Sequence, residues 1–593
     1  MDEIARGRVI AVNGPIVKAV GLEGIRMYDI AEVGPEGLIG EVIRLVENVT
    51  VIQVYEDNTG LKPGDDVLSH LRPLSVLLGP GLIANFYDGI QRPLVGICEA
   101  SGTYIQKGIK IPPLDEKTLW EFHPLVDAGS PVKQGDIIGE VQESPLVTHR
   151  VLVPPGISGT LTAMVPGGKY TIVDEIYRVE NGAFAHRGRL AEYWPMRKPR
   201  PSRLRKKPNV PLITGQRIID FFFPIARGGT AAIPGGFGTG KTMTQHALAK
   251  WCDADIIVYI GCGERGNEMT EVLTDFPKLI DERNGRPLIE RTVMIANTSN
   301  MPVPARDISI YTGVTIAEYY RDMGHSVAVL ADSTSRWAEA LRELASRLGD
   351  MPAEEGFPPY LATRIAEFYE RAGFVETLSG RDGDITIIGA VSPPGGDFSE
   401  PVTQHTSRFV RCFWALDKGL ADARHYPSIS WIDSYTEYLP EIEGWWKNLD
   451  SQWLAVRNEA MGLLLEDNRL QQIVKLVGSD ALPPAQQFIL FVAEMIKNAF
   501  LQQDAFDPTD KYCSPEKQIK LLKTILEMHH RGVELLKTGV TVKQIAALEA
   551  VSEMVRLKSE VPNRELERID AYGKRLAQSL DSLKAPGSGG GPA

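Results

Sequence analysis

A glycine-rich stretch near the middle of the chain has the residue types that phosphate binding requires. Residues 235–242 fit the pattern G-x-x-x-x-G-K-T. Glycines allow backbone N–H groups to turn toward the β- and γ-phosphates of a nucleotide. Lys241 adds a flexible positive charge, and the hydroxyl of Thr242 can bind Mg²⁺. The pattern therefore predicts a loop that binds a nucleoside triphosphate together with Mg²⁺.

The residues around this loop supply the strand and the helix that such a motif needs. Residues 230–233 are typical of a short buried strand, and residues 242–251 are typical of a helix. The helix would direct the positive end of its dipole at the same phosphates. We expect the following residues to contact ATP: Gly235, Gly236, Phe237, Gly238, Thr239, Gly240, Lys241, Thr242 and Met243.

Two carboxylates follow apolar runs that are typical of buried strands. Asp332 comes directly after residues 326–331, and it is the candidate that holds Mg²⁺ through water. Glu264 follows the run that ends at Ile260. Ligands bind at the carboxyl ends of strands in open α/β sheets. Glu264 is therefore the candidate for activating the attacking water, and Arg265 for supporting charge; a surface Glu–Arg pair in a turn is the alternative.

Composition limits the class of protein. The 593 residues are enough for three or four domains, and the net charge of −12 argues against a general nucleic-acid partner. No apolar run reaches the 18 or so residues that span a membrane, and the first residues do not resemble a secretory signal. Five scattered cysteines indicate reduced thiols in a cytosolic protein, without a disulfide framework or a zinc site.

The pattern of apolar residues changes along the chain and predicts an α/β P-loop core with additional β-rich and helical parts. We predict an N-terminal β-barrel (1–70), a connection (71–112), an inserted β-rich module like a lipoyl-type sandwich (113–190), a P-loop domain with a parallel sheet (191–440), a C-terminal helical bundle (441–584) and a flexible tail (585–593).

A basic segment, residues 197–208, contains seven arginines and lysines among prolines. We interpret it as a solvated, proline-stiffened linker that leads into the P-loop domain. A targeting or RNA-binding run is the less favoured alternative.

Longer motifs resemble those of the catalytic A-type chain of vacuolar- and archaeal-type rotary ATPases. They are Gly-Glu-Arg-Gly-Asn-Glu-Met-Thr at 263–270, Ala-Asn-Thr-Ser-Asn-Met-Pro-Val at 296–303 and the stretch 331–342; residues 392–397 and 500–506 agree. The resemblance covers essentially the whole chain, including the module at 113–190 that separates these catalytic chains from the β-subunits of F-type enzymes. The chain departs from the usual bacterial and archaeal pattern at Gly236 and Thr239.

The resemblance implies a role for each matching position. It implies that Lys241 and Thr242 bind phosphate and Mg²⁺, and that Glu264 activates the water. It also implies that Arg265 and Arg336 support the phosphate region.

On the adenine side, the resemblance implies that Phe506, with Gln502 or Gln503, lines the pocket, where an aromatic ring stacks on the base.

The same resemblance implies a set of partners. A noncatalytic B-type subunit would alternate with this chain in an A3B3 ring and donate an arginine to the site in trans. Central-shaft subunits, a peripheral stalk and, indirectly, a membrane sector that translocates protons or sodium ions complete the implied machine, at the cytoplasmic face of a membrane. No nucleic acid is among these partners.

Two other classes of protein share this core. A noncatalytic ring subunit binds nucleotide without turnover, but such chains generally lack both the loop lysine and the counterpart of Glu264. A hexameric RNA translocase should carry a small RNA-binding fold at the N-terminus and a basic domain. The acidic net charge of −12 and the helical C-terminal region argue against the translocase.

Overall fold

The computed structural model describes residues 4–102, 105–281 and 285–583. The chain forms two compact units. The first unit comprises Met1–Pro208, Arg227–Pro234 and Ala254–Val410, and the second comprises Asn209–Ala226, Gly235–Asp253 and Arg411–Ala593. The predicted tail at 585–593 lies outside the described residues.

The first unit begins with a closed, antiparallel barrel, as the sequence predicts. Its interior is filled by alternating apolar side chains such as Val17, Val42 and Ile52, all fully buried. Around the barrel the strands are Ala5–Asn13, Ile16–Val20, Val49–Val54, Leu38–Val46, Asp29–Val33 and Asp66–Pro73.

The inserted β-rich module is confirmed as two four-stranded antiparallel sheets. One sheet contains Pro131–Val132, Gly159–Met164, Tyr177–Asn181 and Phe184–Gly188. The other contains Thr148–Leu152, Ile137–Gln142, Trp120–Pro124 and Gly168–Tyr170. Phe122, Val141 and Leu161 are fully buried among these strands, so the module has its own apolar interior.

The α/β core of the first unit is a parallel sheet, which confirms the predicted P-loop class of fold. Its six parallel strands run, in spatial order, Thr230–Pro234, Asp382–Val391, Ser326–Asp332, Ile256–Glu264, Thr292–Thr298 and Phe86–Tyr87. The strand Ser326–Asp332 is buried along its whole length, as expected for parallel strands that are covered on both faces.

Helices and shorter strands surround this sheet within the first unit. The helices are Leu94–Ser101, Gly266–Asp275, Val303–Asp322, Thr334–Leu348, Leu361–Tyr369 and Pro401–Phe409. The remaining strand pairs are Ser75–Leu78 with Glu192–Pro195, Leu204–Lys206 with Gly373–Glu376, and Ile280–Asp281 with Arg286–Pro287.

The second unit is mainly helical. Its α-helices are Lys241–Trp251, Lys418–Asp422, Leu439–Leu449, Trp453–Val477, Pro484–Met495, Pro515–Lys537, Val542–Ala546, Glu549–Glu553, Leu557–Glu560 and Glu567–Asp581, with π-helical turns at Ile218–Phe222 and Ile496–Leu501 and a strand pair Cys412–Phe413 with Tyr435–Thr436. Aromatic rings fill its core; the rings of Trp446 and Trp453 stack with centroids 4.9 Å apart. Among all described residues, no helix is both long and apolar enough to cross a bilayer.

The basic segment is not a solvated linker at its N-terminal end, and that interpretation is wrong there. The side chain of Arg197 is 12% exposed and forms ion pairs with Glu41 at 2.9 Å and with Asp307 at 3.2 Å. Arg200 is 1% exposed and pairs with Asp322 at 2.7 Å. The carboxylates come from sequence positions more than 100 residues away, so the local run of positive charge did not reveal them.

Candidate nucleotide-binding site

The backbone of the glycine-rich loop requires glycine at several positions. The loop follows the strand Thr230–Pro234 in the chain and leads into the helix Lys241–Trp251. Gly238 and Gly240 have φ values of +79° and +83°, in the left-handed region that glycine adopts most easily. A Cβ on Gly235 would lie 2.6 Å from Oγ1 of Thr239, so there is no space for a side chain.

Thr239 braces the loop from inside. Its side chain is 2% exposed, and its hydroxyl donates a hydrogen bond to the carbonyl of Gly236 at 2.9 Å. The hydroxyl of Ser428 donates to the Thr239 carbonyl at 2.5 Å. Phe237, by contrast, is 87% exposed. The loop is therefore held from one side while its other side faces solvent.

A cavity of about 850 Å³ lies beside the first turns of the loop helix in the second unit. Gly240, Met243 and Thr244 form one wall. The other walls are formed by Gln216, Ala247, Arg424, Tyr426, Pro427, Gln502, Gln503, Asp504, Ala505, Phe506, Asp507, Asp510, Lys558 and Ser559. Phe506 is 84% exposed, so its ring has a free face on which a flat base can stack.

The two glutamines predicted to line the adenine side differ in their availability. Gln503 is 3% exposed, and its Oε1 accepts a hydrogen bond from the backbone N–H of Arg217 at 2.9 Å. Its Nε2 donates to the carbonyls of Gly215 and Asp510, both at 2.8 Å. Gln502 is only half-buried and lines the cavity, and its Nε2 donates one long hydrogen bond, at 3.4 Å, to the carbonyl of Arg424. The amide of Gln503 is thus committed to three hydrogen bonds within the protein, whereas that of Gln502 makes a single long one beside the cavity.

Glu264 and Asp332 lie in the first unit, at the carboxyl ends of neighbouring parallel strands. The register pairs Gly261 with Asp332. Asp332 is 1% exposed and accepts a hydrogen bond from the hydroxyl of Tyr259 at 3.4 Å. Burial, together with the charge of Asp332, raises the pKa of Tyr259 well above its ordinary value. Tyr259 therefore remains a neutral donor to this carboxylate.

The turn at Gly263, the residue before Glu264, packs closely against two arginines. Gly263 has a φ of +76°, and a Cβ there would lie 2.8 Å from Nε of Arg306 and from Cβ of Arg336. Arg336 forms an ion pair with Glu339 at 3.0 Å. The hydrogen bond from Arg336 to Glu339 is the main cause that raises the pKa of Arg336, and the charge of Glu264 adds to it.

Arg306 is a residue that the sequence reasoning missed. It is 8% exposed, and its Nη2 donates to the carbonyl of Ser299 at 3.2 Å. It lies three residues past the motif at 296–303, so extending that motif would have found it. Arg265 is more exposed, with 62% of its side chain accessible, and lies 3.9 Å from Glu268.

Models of four domain families match the chain in order along its length. They are the ATP synthase alpha/beta family β-barrel domain (residues 9–69), the ATP synthase alpha/beta subunit barrel-sandwich domain (111–197), the ATP synthase alpha/beta family nucleotide-binding domain (215–436) and the C-terminal domain of V and A type ATP synthase (443–546).

Curated relatives match over nearly the whole chain. The V-type ATP synthase alpha chain of Halothermothrix orenii is 55% identical, covering 98% of both chains. The corresponding A-type ATP synthase chain of Methanopyrus kandleri is 53% identical, covering 98% of this chain and 99% of its own length. Among solved structures, the assembled ATPase EscN of the enteropathogenic E. coli type III secretion system aligns with a TM-score of 0.61 at 22% identity, covering 88% of this chain and all of EscN; it supports the fold alone.

The fold and the loop geometry define a P-loop nucleotide-binding ATPase with the barrel, sandwich and helical domains of the ATP synthase alpha/beta type. Within that class, the chain belongs to the family of alpha chains of V-type and A-type ATP synthases. It is accordingly an ATP-binding subunit that hydrolyses or synthesises ATP as part of a multisubunit complex.

Proposed function

We propose that this chain is the catalytic subunit of a rotary V/A-type ATPase: the phosphate loop and the base cavity bind MgATP, Glu264 activates the attacking water, and turnover is coupled to proton or sodium translocation. The observation that carries this proposal is that the phosphate loop and the base cavity lie in the same compact unit and share residues. Gly240 and Met243 belong to the loop and its helix and also line the cavity. A nucleotide whose phosphates lie on the loop therefore has space for its base beside them.

Phosphate binding is assigned to the backbone from Gly235 to Gly240, with Phe237 exposed at its tip. The left-handed conformation of Gly238 and Gly240 is of the kind that lets successive backbone N–H groups donate to phosphate oxygens. Lys241 supplies a positive charge at the first turn of the helix.

Two oxygen-bearing residues, one in each unit, are the candidates for holding Mg²⁺. Thr242 offers a hydroxyl oxygen at the helix start, and Asp332 offers a carboxylate at a strand end. Mg²⁺ in nucleotide sites binds oxygen ligands and usually keeps several waters, so a carboxylate can hold it through a water molecule. When bound, Mg²⁺ neutralises negative charge on the phosphate oxygens.

The chemical step is assigned to Glu264. Its carboxylate would orient a water molecule and accept a proton from it as the water oxygen attacks the γ-phosphorus and the bond to the β-phosphate oxygen breaks. Arg336 and Arg265 would support the charge on the transferring group. Synthesis would follow the reverse course with the same residues.

The base is assigned to the cavity. Phe506 would stack on the adenine ring, since its face is exposed, and Gln502 would offer its amide to the ring edge. Gln503 would act indirectly, by holding the segment that carries both residues.

The proposed partners follow from the family. A noncatalytic B-type subunit would alternate with this chain in an A3B3 ring and complete the site with an arginine in trans. Central-shaft subunits and a peripheral stalk would connect the ring to a membrane ion-translocating sector, so the chain would lie at the cytoplasmic face of a membrane. The names of the relatives as ATP synthase chains support this assignment.

Nucleotide binding to the full chain tests the proposal. Calorimetric titration with MgATP should show that Lys241→Ala weakens binding by about tenfold or more, since hydrogen bonds to charged groups contribute about 1.5–3 kcal/mol. Lys250→Ala, in the last turn of the same helix, is the matched control and should bind like the wild type. Equal affinities of the Lys241→Ala variant and the wild type would contradict the assignment of the phosphate loop.

A further inference from the structure

One buried arginine holds the part of the chain that forms the base cavity. The side chain of Arg217 is fully buried. Its Nη1 donates to Oδ1 of Asp510 at 2.5 Å, its Nη2 donates to the carbonyl of Gln502 at 2.8 Å, and its Nε donates to the carbonyl of Phe500. All three nitrogens of the guanidinium are therefore directed at the chain between residues 500 and 510.

These contacts lie at the start of a base segment, which we define as residues 502–507, and just beyond its end. At its start, the carbonyl of Gln502 accepts from Arg217 and the side chain of Gln503 accepts from the Arg217 backbone. Just beyond its far end, Asp510 contacts the segment twice: its Oδ2 accepts from the backbone N–H of Asp504 at 2.9 Å, and its backbone N–H donates to Oδ1 of Asp507 at 2.7 Å. The base segment, including the exposed ring of Phe506, therefore lies between two points that both contact the side chain of Arg217.

The charge of this arginine is also matched locally. Burial opposes the charged form, but the neighbouring Asp510 more than offsets it, and the pKa of Arg217 is raised. Burial likewise acts to raise the pKa of Asp510, yet the contact with Arg217 leaves it lowered. A buried pair of this kind is strongly disrupted when one partner is removed. Lysine, with a single nitrogen, cannot reproduce three divergent hydrogen bonds.

We infer that Arg217 is a positioning residue for the nucleotide base: it holds the base segment in place for adenine without touching the nucleotide. Gln216 lines the cavity, but its neighbour Arg217 is not among the described residues that do. The inference rests on the proposed base cavity. If Arg217 acts in this way, its replacement should weaken binding of the base and leave binding of the phosphates unchanged.

Comparing ATP with tripolyphosphate separates these two effects. Both ligands carry three phosphates, and tripolyphosphate lacks the base. In the full chain, Arg217→Lys should lower the affinity for ATP by about tenfold or more, because the base segment loses hydrogen bonds from a charged group that hold it in its binding position. The affinity for tripolyphosphate should stay within about twofold of the wild type, a change of less than about 0.5 kcal/mol.

Arg457→Lys is the matched control. Arg457 is also buried in the second unit and donates from Nε and Nη2 to the carbonyl of Phe222, at 3.1 and 2.6 Å, away from the base segment. This variant should bind both ligands like the wild type. Gln503→Met, which keeps the side-chain length and introduces no charge, is a milder second variant in case Arg217→Lys does not fold; it should also weaken ATP binding selectively.

Three results would overturn the inference. A folded Arg217→Lys variant with wild-type affinity for ATP would do so, and so would an equal loss of affinity for ATP and tripolyphosphate. If Arg217→Lys does not fold, wild-type ATP affinity in Gln503→Met would have the same consequence. A wild-type chain that bound neither ligand would contradict the proposed nucleotide site itself, which distinguishes the two failures.

Discussion

Asp332, the last residue of its strand, pairs with Gly261 on the adjacent parallel strand. Glu264 therefore lies three residues past the point at which the Asp332 strand ends. On the other side of the Glu264 strand, the register shifts between Cys262 and Glu264, where Gly263 forms a bulge. Bulges re-aim side chains and occur often beside active sites. The two carboxylates therefore share one edge of the sheet, and the bulge determines the direction in which the Glu264 strand leaves it.

The bulge makes a specific demand on Gly263. Because of its positive φ and the 2.8 Å approach to Arg306 and Arg336, an added methyl group must displace its surroundings. Gly263→Ala should lower ATP turnover of the reconstituted complex by about 10–100-fold, since displacements of about 1 Å can cost that much in rate. Gly182→Ala, at a φ of +61° with nothing within 4 Å, is the control and should keep its turnover. Equal turnover in both variants would reject the role of the bulge.

The exposed ring of Phe506 should contribute to nucleotide affinity. Loss of aromatic stacking removes about 0.5–1.5 kcal/mol, so Phe506→Ala should raise KM for ATP by about 2–10-fold with kcat nearly unchanged. Phe506→Tyr keeps the ring and serves as the control. Steady-state kinetics of the complex provide the measurement. A fall in kcat at constant KM would place Phe506 in another role.

The acid stability of the first unit should depend on His149. Burial, followed by the charge of His325, lowers the pKa of His149 to about 3, and its Nε2 lies 2.8 Å from the hydroxyl of Tyr319. In the unfolded chain the same imidazole takes up a proton near pH 6.5. Between about pH 6.5 and 3 the unfolded state therefore binds more protons, so the contribution of His149 to the free energy of unfolding falls as pH falls, by up to about 1.4 kcal/mol per pH unit.

His149→Phe should remove this part of the pH dependence. Thermal melting between pH 7 and pH 4.5 should show a smaller decrease of the midpoint for the variant than for the wild type. His123→Asn, at an exposed position of the same inserted module, should behave like the wild type. Parallel pH profiles for wild type and His149→Phe would show that the buried imidazole does not contribute.

The sequence predicted the classes of element well because their signals are local. The strand Ser326–Asp332 is continuously apolar up to its carboxylate, and the glycines of the phosphate loop carry their own backbone requirement. The resemblance of the longer motifs indicated the family, which the relatives confirm.

Contacts between distant positions were not predictable in the same way. The hydrogen bond between Arg217 and Asp510 joins residues 293 positions apart, and no local sequence pattern predicts it. The basic segment was misinterpreted for the same reason, because Arg197 and Glu41 are far apart in the sequence and form their ion pair only in the folded chain. The two-residue strand Phe86–Tyr87 is too short for periodicity to reveal, and it takes its place at the sheet edge by pairing with Met294 and Ile295.

The site should be incomplete in the isolated chain. If a B-type partner donates an arginine in trans, its absence lowers the rate by about 10³–10⁵-fold. Purified chain should therefore hydrolyse MgATP very slowly, and addition of the B-type partner should restore turnover. A B-type partner in which the donated arginine is replaced by alanine should assemble without restoring it. Full activity from the monomeric chain would reject the shared site.

The most direct test of the whole account is Glu264→Gln in the reconstituted complex. The amide keeps the shape of the side chain but cannot accept a proton from water, so MgATP binding should remain at the wild-type level while turnover falls by about 10²–10⁴-fold. Binding and steady-state hydrolysis are measured on the same preparation. Turnover near the wild-type rate, or weaker MgATP binding with an unchanged kcat, would contradict the assignment of Glu264 as the residue that activates water.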